Sequence, residues 1–192
     1  SLGAMPRRTA ANLQEYADTW SRRGVRAWHE GWWEIGRTTG DLLAPILGVP
    51  PGSISMHQNV TVVMGIIASC FRYDGPRRRI VLTELEFPTN MYLFEGFARY
   101  GAEIVYVASD NSIRNDLDRL LDAIDERTVL VPLSLVLFRS SCIQDARAVI
   151  EKAHRVGAHI GFAKRREPAR AHRRAAIIRI TARHFEQRRP DR

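Results

Sequence analysis

Three short polar segments of this sequence each follow an apolar run, and they hold the residues that could bind a ligand. They are HQNVT at 57–61, FPTN at 87–90, and Ser134 together with RSS at 139–141. In an open α/β sheet, the loops at the carboxyl ends of the strands form the ligand site. The sequence therefore predicts that these three segments meet at one edge of a sheet.

The chemistry of the first two segments favours a phosphorylated, aromatic ligand. Segment 57–61 leads into an apolar helix, and the free N–H groups at a helix start bind phosphate. The segment has no glycine-rich motif of the Walker or dinucleotide kind, which argues against ATP and NAD. Phe87 offers a flat ring in the next segment. We therefore predict a phosphate cradle beside a ring that stacks on the cofactor.

Each of these residues also has a purely structural interpretation. Asn59 and Thr89 are favourable helix caps in any fold. Phe87 could be a hydrophobic staple or an ordinary core ring. His57 could be a loop histidine, and Ser134 could bond only to backbone. For each residue alone the structural interpretation is favoured over cofactor binding. Only the placement of all of them in neighbouring loops favours the cofactor interpretation.

The elements that must position these segments alternate between helix and strand. Helices are predicted over 9–28, 39–47, 60–71, 89–100, 113–124 and 145–156 from apolar spacing and from glycines at their ends. Strands are predicted over 53–56, 79–82, 103–107, 128–137 and 158–162. Alternation with short connections indicates an α/β fold whose mainly parallel sheet is covered by helices on both faces.

Charge is distributed unevenly along the 192 residues. Segment 163–192 holds 11 of the 29 basic and 3 of the 21 acidic residues, so it carries the whole net charge of +8. We predict an N-terminal helical segment over 1–48, an α/β portion over 49–162, and a basic tail over 163–192 unrelated to the fold. The tail would bind polyanions through charge alone. Its single aromatic residue, Phe185, argues against specific nucleic-acid recognition.

The remaining composition predicts a protein of the cytoplasm. No apolar run is long enough to cross a bilayer, and the N-terminus lacks the layout of a signal peptide. Cys70 and Cys142 have neither a disulfide framework nor a metal-binding spacing. Their apolar neighbours predict buried free thiols in a reducing compartment.

Several of these segments resemble kynureninase, a pyridoxal-phosphate hydrolase of the fold-type I, aspartate aminotransferase-like superfamily. The matching stretches are SLG at 1–3, the region 28–33, MHQNVT at 56–61, EFPTN at 86–90 and VPLS at 131–134. The turn F-P-[ST]-[DN] between strand and helix is the most specific of them. The order of helices and strands agrees over 1–162. The resemblance implies a partial large domain of this fold.

The resemblance also implies a role for individual residues. The residues implied to bind pyridoxal 5′-phosphate are Asn59, Val60, Phe87, Pro88, Thr89, Asn90 and Ser134. Asn59 and Val60 would contact the phosphate, and Phe87 would stack on the pyridine ring. Asn90 stands where the family has an Asp, while Ser1 and His29 would face the substrate. The implied reaction cleaves kynurenine to anthranilate and alanine, usually in a cytoplasmic homodimer and with no metal.

Two departures from the family pattern predict an inactive chain. Ala163 stands where the family has the Asp that pairs with the pyridinium nitrogen. The two lysines of the chain are Lys152, inside a predicted helix, and Lys164, too early for the family's covalently bound lysine. From 163 onward nothing matches, as an out-of-frame reading or a genuine basic tail would produce. We expect a truncated, inactive kynureninase-like chain, or alternatively a non-catalytic, degenerate fold-type I protein whose tail binds polyanions.

Overall fold

The computed structural model describes residues 4–163, with the side chains of 4–161. The chain divides into two compact units, and the boundary lies between His57 and Gln58. The domain limits proposed above stay a prediction, and the basic tail from 164 onward lies outside the described residues.

The first unit is helical. Helix α1 spans Thr9–Arg23, α2 spans Arg26–His29, a 3-10 turn spans Trp32–Glu34, and α3 spans Ile35–Leu47. The prediction of one continuous helix over 9–28 is wrong, because Gly24 has φ 52° and interrupts it. Helix α3 begins before the predicted residue 39. It ends as predicted at Gly48, whose φ of 69° is left-handed.

The predicted strand over 53–56 is absent, since this segment has no strand partner in the described part of the chain. It instead lies against α3. A Cβ added to Gly40 would come within 2.5 Å of the carbonyl oxygen of Ile54. The glycine thus permits a close backbone approach, and the segment packs on a helix without joining the sheet.

The second unit contains a four-stranded sheet in the order β2-β1-β3-β4, and every pair of neighbouring strands is parallel. The strands are β1 Arg79–Thr83, β2 Glu103–Val107, β3 Thr128–Ser134 and β4 His159–Ala163. The helices are α4 Val60–Ser69, α5 Pro88–Phe97, α6 Leu117–Ala123 and α7 Ala146–Arg155. The predicted α/β class with a mainly parallel sheet is confirmed.

Apolar side chains bury both faces of this sheet, as the alternation of helices and strands predicted. On one face Met64 of α4 and Phe94 of α5 pack with Ile80, Leu82 and Leu130. The opposite face buries Val81, Val131 and Leu133 against Leu120 of α6 and Val149 of α7. Side chains of successive strand residues point to opposite faces, so neighbouring positions such as Val81 and Leu82 serve different cores.

Helix α6 and strand β3 are each at least three residues shorter than the sequence predicts, because a cap or a turn replaces one of their ends. Helix α6 begins at Leu117, not at 113, since Asp116 caps it and accepts from the N–H of Arg119 at 3.0 Å. Strand β3 ends at Ser134, not at 137. The segment 135–144, called the β3 turn below, folds back on itself through an antiparallel bridge between Val136 and Ile143.

Both predicted thiol environments are wrong. Cys70 is exposed and Cys142 is half-buried. Cys70 follows the last residue of α4, where its thiol donates to the carbonyl of Ile66 at 3.3 Å. Cys142 lies in the β3 turn, outside the sheet. Apolar neighbours in sequence did not imply burial, because both residues fall where an element ends.

Among residues 4–163, no helix combines the length and the apolar character that are needed to cross a bilayer.

Candidate functional site

The starts of α4 and α5 meet beside the sheet. The hydroxyl of Thr61, on the first turn of α4, donates to the hydroxyl of Thr89 on α5 at 3.1 Å. Asn59 caps α4 and accepts from the N–H of Val62 at 2.9 Å, which confirms its predicted capping role. The start of α4, where the N–H groups of Val60 and Thr61 have no acceptor inside the helix, therefore lies close to the start of α5.

Glu86 connects the carboxyl ends of two strands with the start of α5. Its carboxylate, only 2% exposed, accepts from the hydroxyl and the N–H of Ser134 at 2.6 and 3.2 Å. It also accepts from the N–H of Phe87 at 3.0 Å and the side-chain amide of Asn90 at 3.3 Å. We call Glu86, Asn90 and Ser134 the carboxylate cluster. Three predicted site residues are thus fixed by a fourth that sequence reasoning missed.

The donors around Glu86 are all neutral. Oε1 accepts three of the four hydrogen bonds, and Oε2 accepts the fourth, from the N–H of Ser134. Among the side chains of 4–161, no Lys, Arg or His forms an ion pair with Glu86. Removing a carboxylate from water without a cation is costly even when its hydrogen bonds are made. Among the described side chains, the charge of Glu86 therefore has no counter-ion at the carboxyl edge of the sheet.

Two further buried polar atoms lie at this edge without a hydrogen-bond partner in the described residues. They are the side-chain oxygens of Thr83 and Asn90. A carboxylate only accepts, so the bond to Glu86 must come from the amide nitrogen of Asn90 and leaves its oxygen unpaired. A buried acceptor of this kind costs about 1–3 kcal/mol.

The ring of Phe87 is exposed at 47%, so the interpretation as a core ring is wrong. It meets Phe138 of the β3 turn edge to face, with the ring centroids 5.0 Å apart and the planes at 72°. The guanidinium of Arg139 lies 5.4 Å from the centroid of Phe138. The Phe87 ring thus stands at the sheet edge with one aromatic neighbour and open space around it.

A cavity of about 180 Å³ lies between α5, the β3 turn and the end of β1. Its walls include Glu84, Glu86, Tyr92, Phe138 and Arg139. Ligand pockets usually measure about 300–1,000 Å³. A ring-sized ligand at this edge would therefore be partly open to solvent. Within 4–163 no group of three or more His, Cys, Asp or Glu side chains could hold a metal ion.

The structure brings together seven of the nine predicted site residues. Asn59, Val60, Phe87, Pro88, Thr89, Asn90 and Ser134 all belong to the second unit and lie at the helix starts or in the carboxylate cluster. Their individual contacts with a cofactor stay predictions. His29 is exposed on α2 of the first unit, and Ser1 lies outside the described residues.

The ring of His57 shares a hydrogen bond of 2.9 Å with the hydroxyl of Ser55. This is the behaviour expected of an ordinary loop histidine. Sequence reasoning gave no individual role to Glu86, Thr61 or Phe138, although Thr61 belongs to the predicted segment 57–61. For Glu86 a signal was available, since it lies between an apolar strand and the FPTN segment, where acids are seldom buried unless they are paired.

One of the predicted departures lies beside the carboxylate cluster. Ala163 of β4 stands opposite Ser134 of β3 in the register of the sheet. Lys152 is half-buried on α7, and Lys164 lies outside the described residues. The missing acid of the family pattern would therefore have been a neighbour of Ser134.

Residues 4–161 match the family model described as "Aminotransferase class-V". The chain belongs to this family. It is 30% identical over 171 residues to kynureninase of Bacillus thuringiensis subsp. konkukian (strain 97-27), covering 84% of this chain and 40% of the relative. Kynureninase of Burkholderia pseudomallei (strain 1106a) is 29% identical over 167 residues, covering 82% of this chain and 39% of the relative. The chain thus spans about 40% of the length of these relatives.

Solved structures of similar fold support the same architecture. The cystine C-S lyase C-DES, in complex with its reaction product cysteine persulfide, superposes with a TM-score of 0.65 at 18% identity, covering 83% of this chain and 43% of the lyase. The cysteine desulfurase CsdA of Escherichia coli gives a TM-score of 0.55 at 20% identity, covering 84% of this chain and 38% of the desulfurase. The prediction of a partial fold-type I domain is confirmed.

Proposed function

We propose that this chain contains the cofactor cradle of a kynureninase-like enzyme and that the cradle binds pyridoxal 5′-phosphate. The observation that carries the proposal is the meeting of two helix starts, an exposed ring and a buried carboxylate at one sheet edge. The relatives at about 30% identity are kynureninases. A mutant of the C-DES lyase is described with glycine covalently linked to its PLP cofactor. Both findings support this cofactor.

The start of α4 would hold the phosphate. Asn59 uses its side-chain oxygen to cap the N–H of Val62, so the N–H groups of Val60 and Thr61 have no acceptor inside the helix. The dipole of a ten-residue helix favours an anion at this position. Thr89 on α5 adds a second hydroxyl at the same place through its bond with Thr61.

The turn that begins at Glu86 would hold the ring. Phe87 offers an exposed aromatic face, and Asn90 and Ser134 offer polar atoms fixed by the carboxylate cluster. When bound, pyridoxal phosphate supplies an electron-withdrawing ring that stabilises negative charge on an amino-acid substrate. The role of the protein is to orient this ring and to tune its nitrogen.

The substrate class follows from the kynureninase relatives. We infer that the whole enzyme hydrolyses kynurenine to anthranilate and alanine, as a cytoplasmic homodimer, with Ser1 and His29 facing the substrate. The chain of 192 residues by itself is expected to be inactive. Ala163 replaces an acid beside Ser134, and Lys152 lies on α7, on the face of the sheet opposite to α4 and α5.

The binding test uses pyridoxine 5′-phosphate, which lacks the aldehyde and therefore cannot react with surface lysines. We expect saturable binding by fluorescence titration or equilibrium dialysis. Pyridoxine without phosphate should bind at least about tenfold more weakly, because the helix-start contacts are lost. Equal affinities, or no binding of either compound, would overturn the proposed cradle.

The activity test measures release of fluorescent anthranilate from kynurenine in the presence of pyridoxal phosphate. We expect none, and peptide mapping after borohydride reduction should find no single preferred lysine. Anthranilate release together with stoichiometric modification of Lys164 would show that the chain is active and that its last segment was misaligned.

A second function rests on the +8 charge of residues 163–192. A non-catalytic protein with a degenerate fold would use this tail to bind polyanions. Heparin retention that persists at saturating pyridoxine phosphate, combined with no binding preference for the phosphorylated compound, would favour this function over the cofactor cradle.

A further inference from the structure

We propose that Glu86 is a positioning residue that supplies, through Ser134, the negative charge that keeps the cofactor's ring nitrogen protonated. The proposal rests on the proposed function, because it requires that the pyridine ring lies over Ser134. It assigns to Glu86 the electrostatic task for which this chain has no acid at position 163.

The hydrogen bonds of Glu86 indicate the form of its side chain. Glu86 is 2% exposed and accepts four hydrogen bonds from neutral donors. The backbone N–H groups of Phe87 and Ser134 can only donate, so both carboxyl oxygens of Glu86 act as acceptors. The arrangement therefore suits the ionised carboxylate.

No other buried charge among the described residues on the cavity compensates the charge of Glu86. The other charged groups on the cavity that Glu86 lines are Glu84 and Arg139, which are both exposed. Their signs are opposite and solvent screens them, whereas charges in the protein interior interact much more strongly. Of the charges on this cavity, only that of Glu86 is buried, and it favours a cationic group placed above it.

Glu86 also fixes the direction of the hydrogen bonds made by its two neighbouring side chains. The hydroxyl of Ser134 donates its only hydrogen to Glu86 at 2.6 Å, so its oxygen presents lone pairs to any other neighbour. The amide of Asn90 donates to Glu86 as well and leaves its oxygen without a partner. Glu86 thus sets both side chains as acceptors, which suits a protonated ring nitrogen and not a neutral one.

The position of Ser134 in the sheet relates Glu86 to the acid that the family pattern has at 163. Ser134 is paired in register with Ala163, where the resemblance places an acid. An acid at 163 and the carboxylate of Glu86 would both be neighbours of Ser134. With alanine at 163, Glu86 is the carboxylate within hydrogen-bond distance of Ser134 among the described side chains.

The test measures the pKa of the ring nitrogen of bound pyridoxine 5′-phosphate, by its ¹⁵N chemical shift across a pH series. Full chains of the wild type, Glu86→Gln and Glu84→Gln are compared. Both substitutions remove one negative charge near the cavity, but Glu84 is exposed and Glu86 is buried. We expect Glu86→Gln to lower this pKa by about one unit, a tenfold loss of proton affinity, and Glu84→Gln to leave it unchanged.

Each outcome decides the proposal. Binding by the wild type with the same ring pKa in both variants overturns the role of Glu86 and leaves the cradle standing. No binding by the wild type overturns both. If Glu86→Gln fails to fold, Glu86→Asp replaces it, since the charge is kept but withdrawn by one methylene. In Glu86→Asp, a decrease in the ring pKa that is smaller than the one expected for Glu86→Gln supports the proposal. An unchanged ring pKa in Glu86→Asp contradicts it.

Discussion

The two ends of the same parallel sheet differ in the partners of their buried charges. At the amino end, Arg79 has a side chain that is only 11% exposed and lies 2.7 Å from both Glu103 and Asp125. At the carboxyl end, Glu86 is buried among neutral donors. Removing one partner of a buried ion pair is destabilising, whereas a buried charge without a counter-ion can interact with a ligand. This difference separates the supporting edge of the sheet from the edge that is proposed to bind the cofactor.

The amino end is also tied together through backbone contacts. The guanidinium of Arg77 donates to the carbonyls of Thr128 and Val156 at 3.2 and 2.8 Å. These bonds join the segment before β1 to the start of β3 and to the end of α7. The arginines here complete the hydrogen bonds of element ends, which is a structural role.

The largest expected effect is the loss of stability in Arg79→Met. The substitution leaves Glu103 and Asp125 without their shared cation, and both carboxylates are about one-third exposed, which moderates the loss. We expect the free energy of unfolding to fall by about 2–3 kcal/mol in urea denaturation. Affinity for pyridoxine phosphate should stay the same. Arg78→Met, at the exposed neighbouring position, is the control, and an equal effect of both would remove the distinction between the edges.

At the carboxyl edge, Asn59→Asp is expected to change binding but not stability. Asp and Asn cap helices equally well, so the free energy of unfolding should change by less than about 0.5 kcal/mol. The added carboxylate repels phosphate, and affinity should fall about tenfold, or about 1.4 kcal/mol. Asp145→Asn alters the equivalent cap of α7 and should leave affinity unchanged. Unchanged affinity in Asn59→Asp would remove α4 from the phosphate site.

The amino edge should also make stability depend on acid pH. The hydrogen bond and the charge of Arg79 lower the pKa of Glu103. Burial raises the pKa of Asp125, but the N–H of Arg127 and the charge of Arg79 outweigh it, so this pKa is lowered as well. Carboxyl groups with lowered folded pKa values contribute stability above their unfolded values, near pH 4, and lose it as the pH falls through the folded values.

We therefore expect thermal stability of the wild type to fall below about pH 4, and the fall to be shallower in Arg79→Met. Melting temperatures measured by circular dichroism between pH 3 and 7 check this. Parallel curves for the two proteins would show that the carboxylates draw their stability from other groups.

The smallest expected effect belongs to a charge pair outside both edges. Arg147 and Glu151 of α7 form an ion pair whose side chains are 87% and 57% exposed. Solvent screens such pairs, so Arg147→Ala should leave the melting temperature unchanged within error. A clear loss of stability there would mean that ion pairs of the second unit contribute regardless of burial, and the comparison between the edges would lose its basis.

Prediction from sequence succeeded where a short-range pattern governs structure. The parallel strands and the helices between them follow from alternating apolar runs, and β2 has the predicted limits 103–107. Helix ends at Gly48 and Gly101 follow from left-handed backbone conformations that glycine adopts without strain. The predictions failed where a local turn competes with an element, as at Asp116 and in the β3 turn.

The sequence by itself determined the α/β class, the cap at Asn59 and the placement of the FPTN segment between strand and helix, because these depend on residues close in the chain. Only the tertiary structure decided that Glu86 reaches Ser134, 48 residues away, and that Phe87 is exposed beside Phe138. Burial and hydrogen bonding across strands depend on how the sheet is assembled. The sequence therefore predicted where a site would lie, while the fold determined that Glu86 has no ion-pair partner among the described side chains.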